Sequence, residues 1–247
     1  MPSPMPGFFY NLGKLAGPKV RKGRWVLSSL TGSELEAIDA EYEVGKDLAQ
    51  EVRGQVEIDP SQAMVRWLGD LGGRLAECVK NKTRRFHFEA ILEEQPNAFA
   101  LPGGFIFISR ALVELCEADP HEVGFVLAHE MAHVIRGHAI DRVISDSAIA
   151  AAARTTPVRG MLGGWLRGVG MNFVRSAYSQ SREFEADALG ARLAHAADFD
   201  VRAAMRLLRR LELLRSDAPE LPLAEYFASH PPPAERIERL ERLIGSG

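Results

Sequence analysis

The run His129-Glu130-Met131-Ala132-His133 holds the residues of this chain best suited to do chemistry. Side chains four residues apart on a helix share a face, so the two imidazoles can grip one metal ion. The glutamate sits about 100° round from the first histidine, where it reaches a metal-bound water without ligating the metal. Zinc-dependent hydrolysis needs that arrangement, but a catalytic zinc site takes three protein ligands plus a water. In Ser181-Arg182-Glu183-Phe184-Glu185-Ala186-Asp187-Ala188-Leu189-Gly190, one helical face carries Glu183, Ala186, Asp187 and Gly190, and Glu185 points away. Small residues at 186 and 190 let this helix approach the histidine helix closely. Glu183 is thus the candidate third ligand and Glu185 its rival. Asp187, one turn on, is the candidate to orient a ligating imidazole through its second nitrogen. The plain alternative for Glu183 is a solvated helix charge.

The elements that must position these groups are well signalled. Asp119-Pro120-His121-Glu122 reads as an N-cap, a proline in the first turn and a glutamate closing a capping box. Val123, Val126, Leu127, Met131, Val134 and Ile135 then give the histidine helix an apolar face. Ser33 with Glu36 caps a helix running to about Gln55, and Asp59-Pro60 opens a second, to about Lys80. Phe86, Phe88 and Ala90 alternate with His87 and Glu89 as a strand. Asn97 to Leu101 is a second extended run, Pro102-Gly103-Gly104 a turn, and Phe105 to Ile108 a third strand, with Ser109 capping a short helix. The fold class expected is α+β and mainly helical, with a small β-sheet beside the active-site helix.

Composition narrows the classes. The chain has 247 residues, 46% of them hydrophobic, which suits one sizeable core after an arm at 1–32. A net charge of -3 makes no case for nucleic-acid binding. Cys78 and Cys116 form neither a disulfide framework nor a cysteine zinc site. No secretory signal or apolar run of roughly 20 residues is visible, so the expected location is cytoplasmic, or peripheral at a membrane. The arm carries Lys14, Lys19, Arg21, Lys22 and Arg24 among aromatic residues, which fits either a membrane-surface anchor or a segment packed across the domain.

H-E-x-x-H about fifty residues before E-x-x-x-D resembles the HtpX and CAAX-prenyl-protease family of zinc metallopeptidases, in particular its soluble bacterial members of the BepA and LoiP type. Asn97-Ala98-Phe99-Ala100 before Pro102-Gly103-Gly104, and Ser229-His230-Pro231-Pro232 with Arg236 beyond it, match in the same order, so the likeness covers roughly residues 85–245. The resemblance implies a zincin-like metallopeptidase over residues 33–247 with one Zn²⁺ per chain, held by His129, His133 and Glu183. It implies Asp187 behind the ligands, and His230 and Arg236 facing the site to stabilise the oxyanion. In some relatives the equivalent histidine instead closes the zinc as a fourth ligand. Asn97, Ala98, Phe99 and Ala100 would then be the edge strand that holds an extended substrate.

Two functions stay open on this reading. One is an endopeptidase acting on polypeptides, misfolded or membrane-associated, with Glu130 activating the zinc-bound water. The other is a latent, His230-closed zinc protein that mainly binds unfolded chains. An aminopeptidase or deformylase fits less well, for want of a supporting cysteine motif or an acidic motif for a substrate amino terminus. The basic, apolar stretch at about 143–178 is expected to be a lid or a membrane-facing segment. His138, five residues after His133, is expected off the ligand face, His121 lies in the first turn of its helix, His87 and His195 are expected to be structural or solvated, and none of the four is given a catalytic role.

Overall fold

A computed structural model describes residues 33–142, 178–217, 230 and 233–245. The arm at 1–32, and the stretch at about 143–178 expected to be a lid or membrane-facing segment, lie outside the described residues apart from Tyr178. Helix α1 (Glu34–Arg53) opens on the expected capping box, with Ser33 and Glu36 satisfying each other's backbone N–H. Helix α2 (Gln62–Glu77) starts at Ser61, whose hydroxyl accepts from the Met64 N–H. Asp59, expected to open this helix, accepts from the Ser61 N–H and pairs with Arg110.

Three strands follow: β1 (His87–Ile91), β2 (Ala98–Leu101) and β3 (Phe105–Ser109). Their order is β1-β3-β2, with β3 parallel to β1 and antiparallel to β2. The β2–β3 hairpin follows from the alternation and the glycines. The turn is a short 3₁₀ segment (Pro102–Gly104) in which Gly103 and Gly104 have φ of 73° and 90°. A Cβ on Gly104 would lie 2.0 Å from the Arg85 carbonyl oxygen, so glycine is required there on both counts.

Period-2 alternation divides the sheet into two faces. Phe99, Leu101, Phe105 and Phe107 pack with Val44, Leu48 and Val52 of α1. Ala98, Ala100, Ile106 and Ile108 pack towards the larger core, built with α2 and the helices that follow. Because β2 shows alanines on that side, the strand can lie close against the histidine helix.

That helix, α4 (Pro120–Ile135), comes after the short α3 (Arg110–Leu115) and is buried almost throughout. Asp119 caps it by accepting from the His121 N–H, but Glu122 does not close a capping box. Glu122 instead accepts from Arg210 Nη1 at 2.9 Å, a guanidinium on α6 (Arg202–Asp217) strong enough to outcompete a local backbone N–H. Helix α5 (Gln180–Ala196) packs along α4. A Cβ added to Gly190 would stand 3.0 Å from the His129 backbone, so the expected close approach does depend on this glycine. Helix α7 (Pro233–Gly245) packs on α5 and α6. The class is α+β and mainly helical, as the patterning predicts. No described helix is long and apolar enough to cross a membrane.

Candidate metal centre

Helices α4 and α5 bring three side chains to one point. The Nε2 atoms of His129 and His133 face each other at 3.2 Å. Glu183 spans them, with Oε2 3.4 Å from His129 Nε2 and Oε1 3.3 Å from His133 Nε2. All three are buried, and Glu183 Oε1 has no hydrogen bond that would satisfy it. Zinc bonds of about 2.0–2.1 Å in a tetrahedron separate neighbouring donors by about 3.3–3.4 Å. Two imidazoles and a carboxylate at these separations fit a zinc ion, and a cation would satisfy the orphaned oxygen.

Each imidazole is backed from behind. His129 Nδ1 lies 3.0 Å from Asp187 Oδ1, though the ring N–H is not aligned on that oxygen. Arg236 of α7 donates to both Asp187 oxygens, from Nε at 2.8 Å and from Nη2 at 2.7 Å. Asp187 thus stands where the helical spacing puts it. Arg236 lines the cleft, and two of its guanidinium nitrogens hold Asp187, a contact beyond the expected oxyanion role. Neutralising a buried carboxylate takes precedence, because the alternative is an unpaired charge in the core. Behind His133, His138 Nδ1 lies 3.1 Å from His133 Nδ1, and the Tyr178 ring stacks on His133 at 3.9 Å. His138, expected off the ligand face, therefore touches His133 from behind.

His230 Nδ1 donates to Glu183 Oε2 at 2.7 Å, so the loop histidine reaches the centre although its neighbours lie outside the described residues. Glu130, His230, Ala98, Leu112 and Phe125 line a small cleft beside His129. Glu185, the rival ligand, stays out of the donor set: it is largely exposed and lies 3.6 Å from His138 Nε2.

Burial and charge divide the titratable groups. Burial pushes His129 down, but the Asp187 and Glu183 carboxylates outweigh it and raise the group to about 9. Burial dominates at His133 and lowers it to about 3. Burial opposes ionisation of Glu183 and Asp187 too. Glu183 is nevertheless held well below the usual range by His230, with help from His129 and His133, and Asp187 is held low by Arg236 and His129. Glu130 lacks so strong a partner, and burial raises it.

The expected substrate strand is β2, an edge of the sheet among the described residues. Asn97 O accepts from the Ser109 N–H at 2.8 Å, and the Asn97 N–H donates to Ser109 Oγ. Antiparallel alternation then turns the Phe99 backbone inward and directs the N–H and C=O of Ala98 and Ala100 outward. Of the four expected residues, two therefore have backbone groups on the open edge. Arg142 Nη2 already donates to Ala100 O at 3.4 Å, and its guanidinium lies over the Tyr178 ring at 4.2 Å. Neither Arg142 nor Tyr178 was expected at the site, since no local pattern marks them.

Comparison with known proteins finds peptidases. The chain is 30% identical over 165 residues to the mitochondrial metalloendopeptidase OMA1 of Schizosaccharomyces pombe, covering 65% of this chain and 47% of that protein. It is 32% identical over 160 residues to the mitochondrial metalloendopeptidase OMA1 of Bos taurus, covering 60% and 30%. The beta-barrel assembly-enhancing protease of Escherichia coli is 27% identical over 227 residues, covering 85% and 45%. The match thus spans less than half the length of each of these relatives. Residues 62–244 match the family model of peptidase family M48, and the chain belongs to that family.

Proposed function

We propose that this chain is a zinc-dependent endopeptidase in which His129, His133 and Glu183 hold one zinc ion and Glu130 is the general base. The observation that carries this reading is a pair of imidazole Nε2 atoms 3.2 Å apart, spanned by the two oxygens of Glu183 at 3.3 and 3.4 Å, on two packed helices. The printed names of the relatives, metalloendopeptidases and a protease, point the same way. When bound, zinc supplies a Lewis acid that polarises the scissile carbonyl and makes the attacking water more acidic.

The protein's own residues do the rest. Glu130 takes the water's proton as the oxygen–carbon bond forms, then returns it to the amine as the carbon–nitrogen bond breaks. Its buried position makes it a better base than a solvated carboxylate. The outward N–H and C=O of Ala98 and the N–H of Ala100 pair with an extended peptide, so the substrate is read through its main chain. Unfolded or misfolded segments, including those of membrane-associated proteins, meet that requirement. His230, on the cleft wall, is the donor for the developing oxyanion. In the Glu130→Gln variant the zinc content stays at the wild-type level while casein hydrolysis falls by about 10²–10⁴-fold. Undiminished hydrolysis by that variant refutes the assignment.

A second reading has its own support. His129, Glu183 and His230 offer ligand atoms within 4.8 Å of one another, so His230 can take a ligand position beside those two. The protein would then bind unfolded chains and seldom cut them. Casein cleavage by His230→Ala separates the two: a loss of activity fits the oxyanion role, and activity gained only in the variant fits the latent form.

A further inference from the structure

His133 is fully buried, so its two ring nitrogens both need partners. A ring that binds metal through Nε2 carries its proton on Nδ1, and that donor is usually held by a carboxylate or a carbonyl. Among the described residues it meets neither. The atom at 3.1 Å is Nδ1 of His138, itself buried. The proton inventory then follows from imidazole chemistry. His133 Nδ1–H donates, so His138 Nδ1 accepts and the proton of His138 sits on Nε2. That nitrogen lies 3.6 Å from Glu185 Oε2, beyond a good hydrogen bond but close enough for the carboxylate to favour a proton there.

The backbone explains how a residue five positions after His133 comes to face it. On an unbroken helix His138 would be turned about 140° from His133. Helix α4 stops at Ile135, however, and Gly137 takes φ 75°, the left-handed conformation of a helix-terminating glycine. The chain then starts a new helical stretch, 138–142, with His138 as its first residue. The change of direction swings the His138 ring back over the end of α4, where it meets His133 edge-on, with ring planes at 64°. Tyr178 stacks almost parallel on the His133 ring, at 14°, and restricts its rotation.

We infer that His138 is a positioning residue: it fixes the tautomer and orientation of His133, with Glu185 fixing the tautomer of His138 in turn. This rests on the proposed zinc site, whose affinity it would set. Three full-length proteins test it by chelator competition for Zn²⁺ at one pH, with the electronic spectrum of the Co²⁺-substituted protein as a second readout. His138→Phe keeps a ring but removes the acceptor. His138→Asn places an amide oxygen near the Nδ1 position and keeps the acceptor.

The Phe variant is expected to bind zinc roughly 10–100-fold more weakly than wild type and to alter the cobalt spectrum. The Asn variant is expected to remain within a few-fold of wild type with the spectrum preserved. Equal affinities in the two variants, at whatever level, overturn the inference, because they leave His138 with packing alone. His138→Leu gives the same reading if the Phe ring prevents folding. Failure of the wild-type protein to bind zinc would instead remove the metallopeptidase assignment itself.

Discussion

Behind His129 lies a sealed ion pair, whereas behind His133 lies a second buried imidazole whose far nitrogen faces an exposed carboxylate. Asp187 and Arg236 are each almost wholly buried and joined by two hydrogen bonds. His138 is buried as well, but the side chain of its carboxylate partner, Glu185, is 55% exposed. The same task, holding the far nitrogen of an imidazole, is met once by a fixed charge and once by a neutral ring. The difference shows in the electrostatics. A carboxylate behind His129 and the bridging Glu183 raise it to about 9, whereas burial takes His133 to about 3. The charged support also costs more to dismantle, because a buried charge left alone has no water to turn to.

Breaking the sealed side has the largest expected effect. Arg236→Ala leaves Asp187 ionised in the core without its partner, and loss of one member of such a pair costs about 3–5 kcal/mol. Chemical denaturation should show that loss as a lower midpoint with an unchanged slope. Asp187 would also be freer to turn from His129, so zinc affinity should fall in the same variant. A loss below about 1 kcal/mol, the value of an exposed pair, would place Arg236 outside the support.

The second prediction uses the proton that the contrast places on His129. With that group raised to about 9, His129 is protonated at neutral pH, and an entering cation must displace the proton. The raised value means that the penalty grows as pH falls below the pKa and vanishes above it. Zinc affinity should therefore weaken about tenfold per pH unit on going from pH 8 to 7. Chelator competition across this range, with proton release followed by calorimetry in buffers of different ionisation enthalpy, measures both quantities. Affinity independent of pH there would mean that the carboxylates do not hold a proton on His129.

Much of the centre was legible because its determinants are local. The i,i+4 spacing of His129 and His133, and the shared face of Glu183, Asp187 and Gly190, follow from helix geometry alone. The hairpin carrying Ala98 and Ala100 was legible for a similar reason, since Gly103 and Gly104 mark its turn. Three features were not. His138 was misplaced because extending helix α4 past Gly137 puts it on the wrong face, although a glycine there is itself the signal that the helix stops. The engagement of Arg236 depends on a carboxylate 49 residues away in sequence, and nothing near Arg236 announces it. Pairing of β1 with β3 in parallel depends on the tertiary fold as a whole.

The smallest expected effect lies at the open end of the weaker support. Glu185→Gln keeps the shape of the side chain and removes its charge, so it tests whether that charge matters to His138 when no buried partner is disturbed. Because Glu185 is more than half exposed, water screens the interaction and the change in stability should be less than about 1 kcal/mol. Its influence on the metal should nevertheless be measurable, since a neutral amide no longer favours the proton on His138 Nε2. A severalfold loss of zinc affinity, with the denaturation midpoint unmoved and the loss diminished in high salt, is the expected pattern. A salt-insensitive loss would point to altered packing, and no loss at all would end the chain of contacts at His138. The last result would leave the two imidazoles unequally supported, His129 by Asp187 and Arg236 in series and His133 by His138 alone.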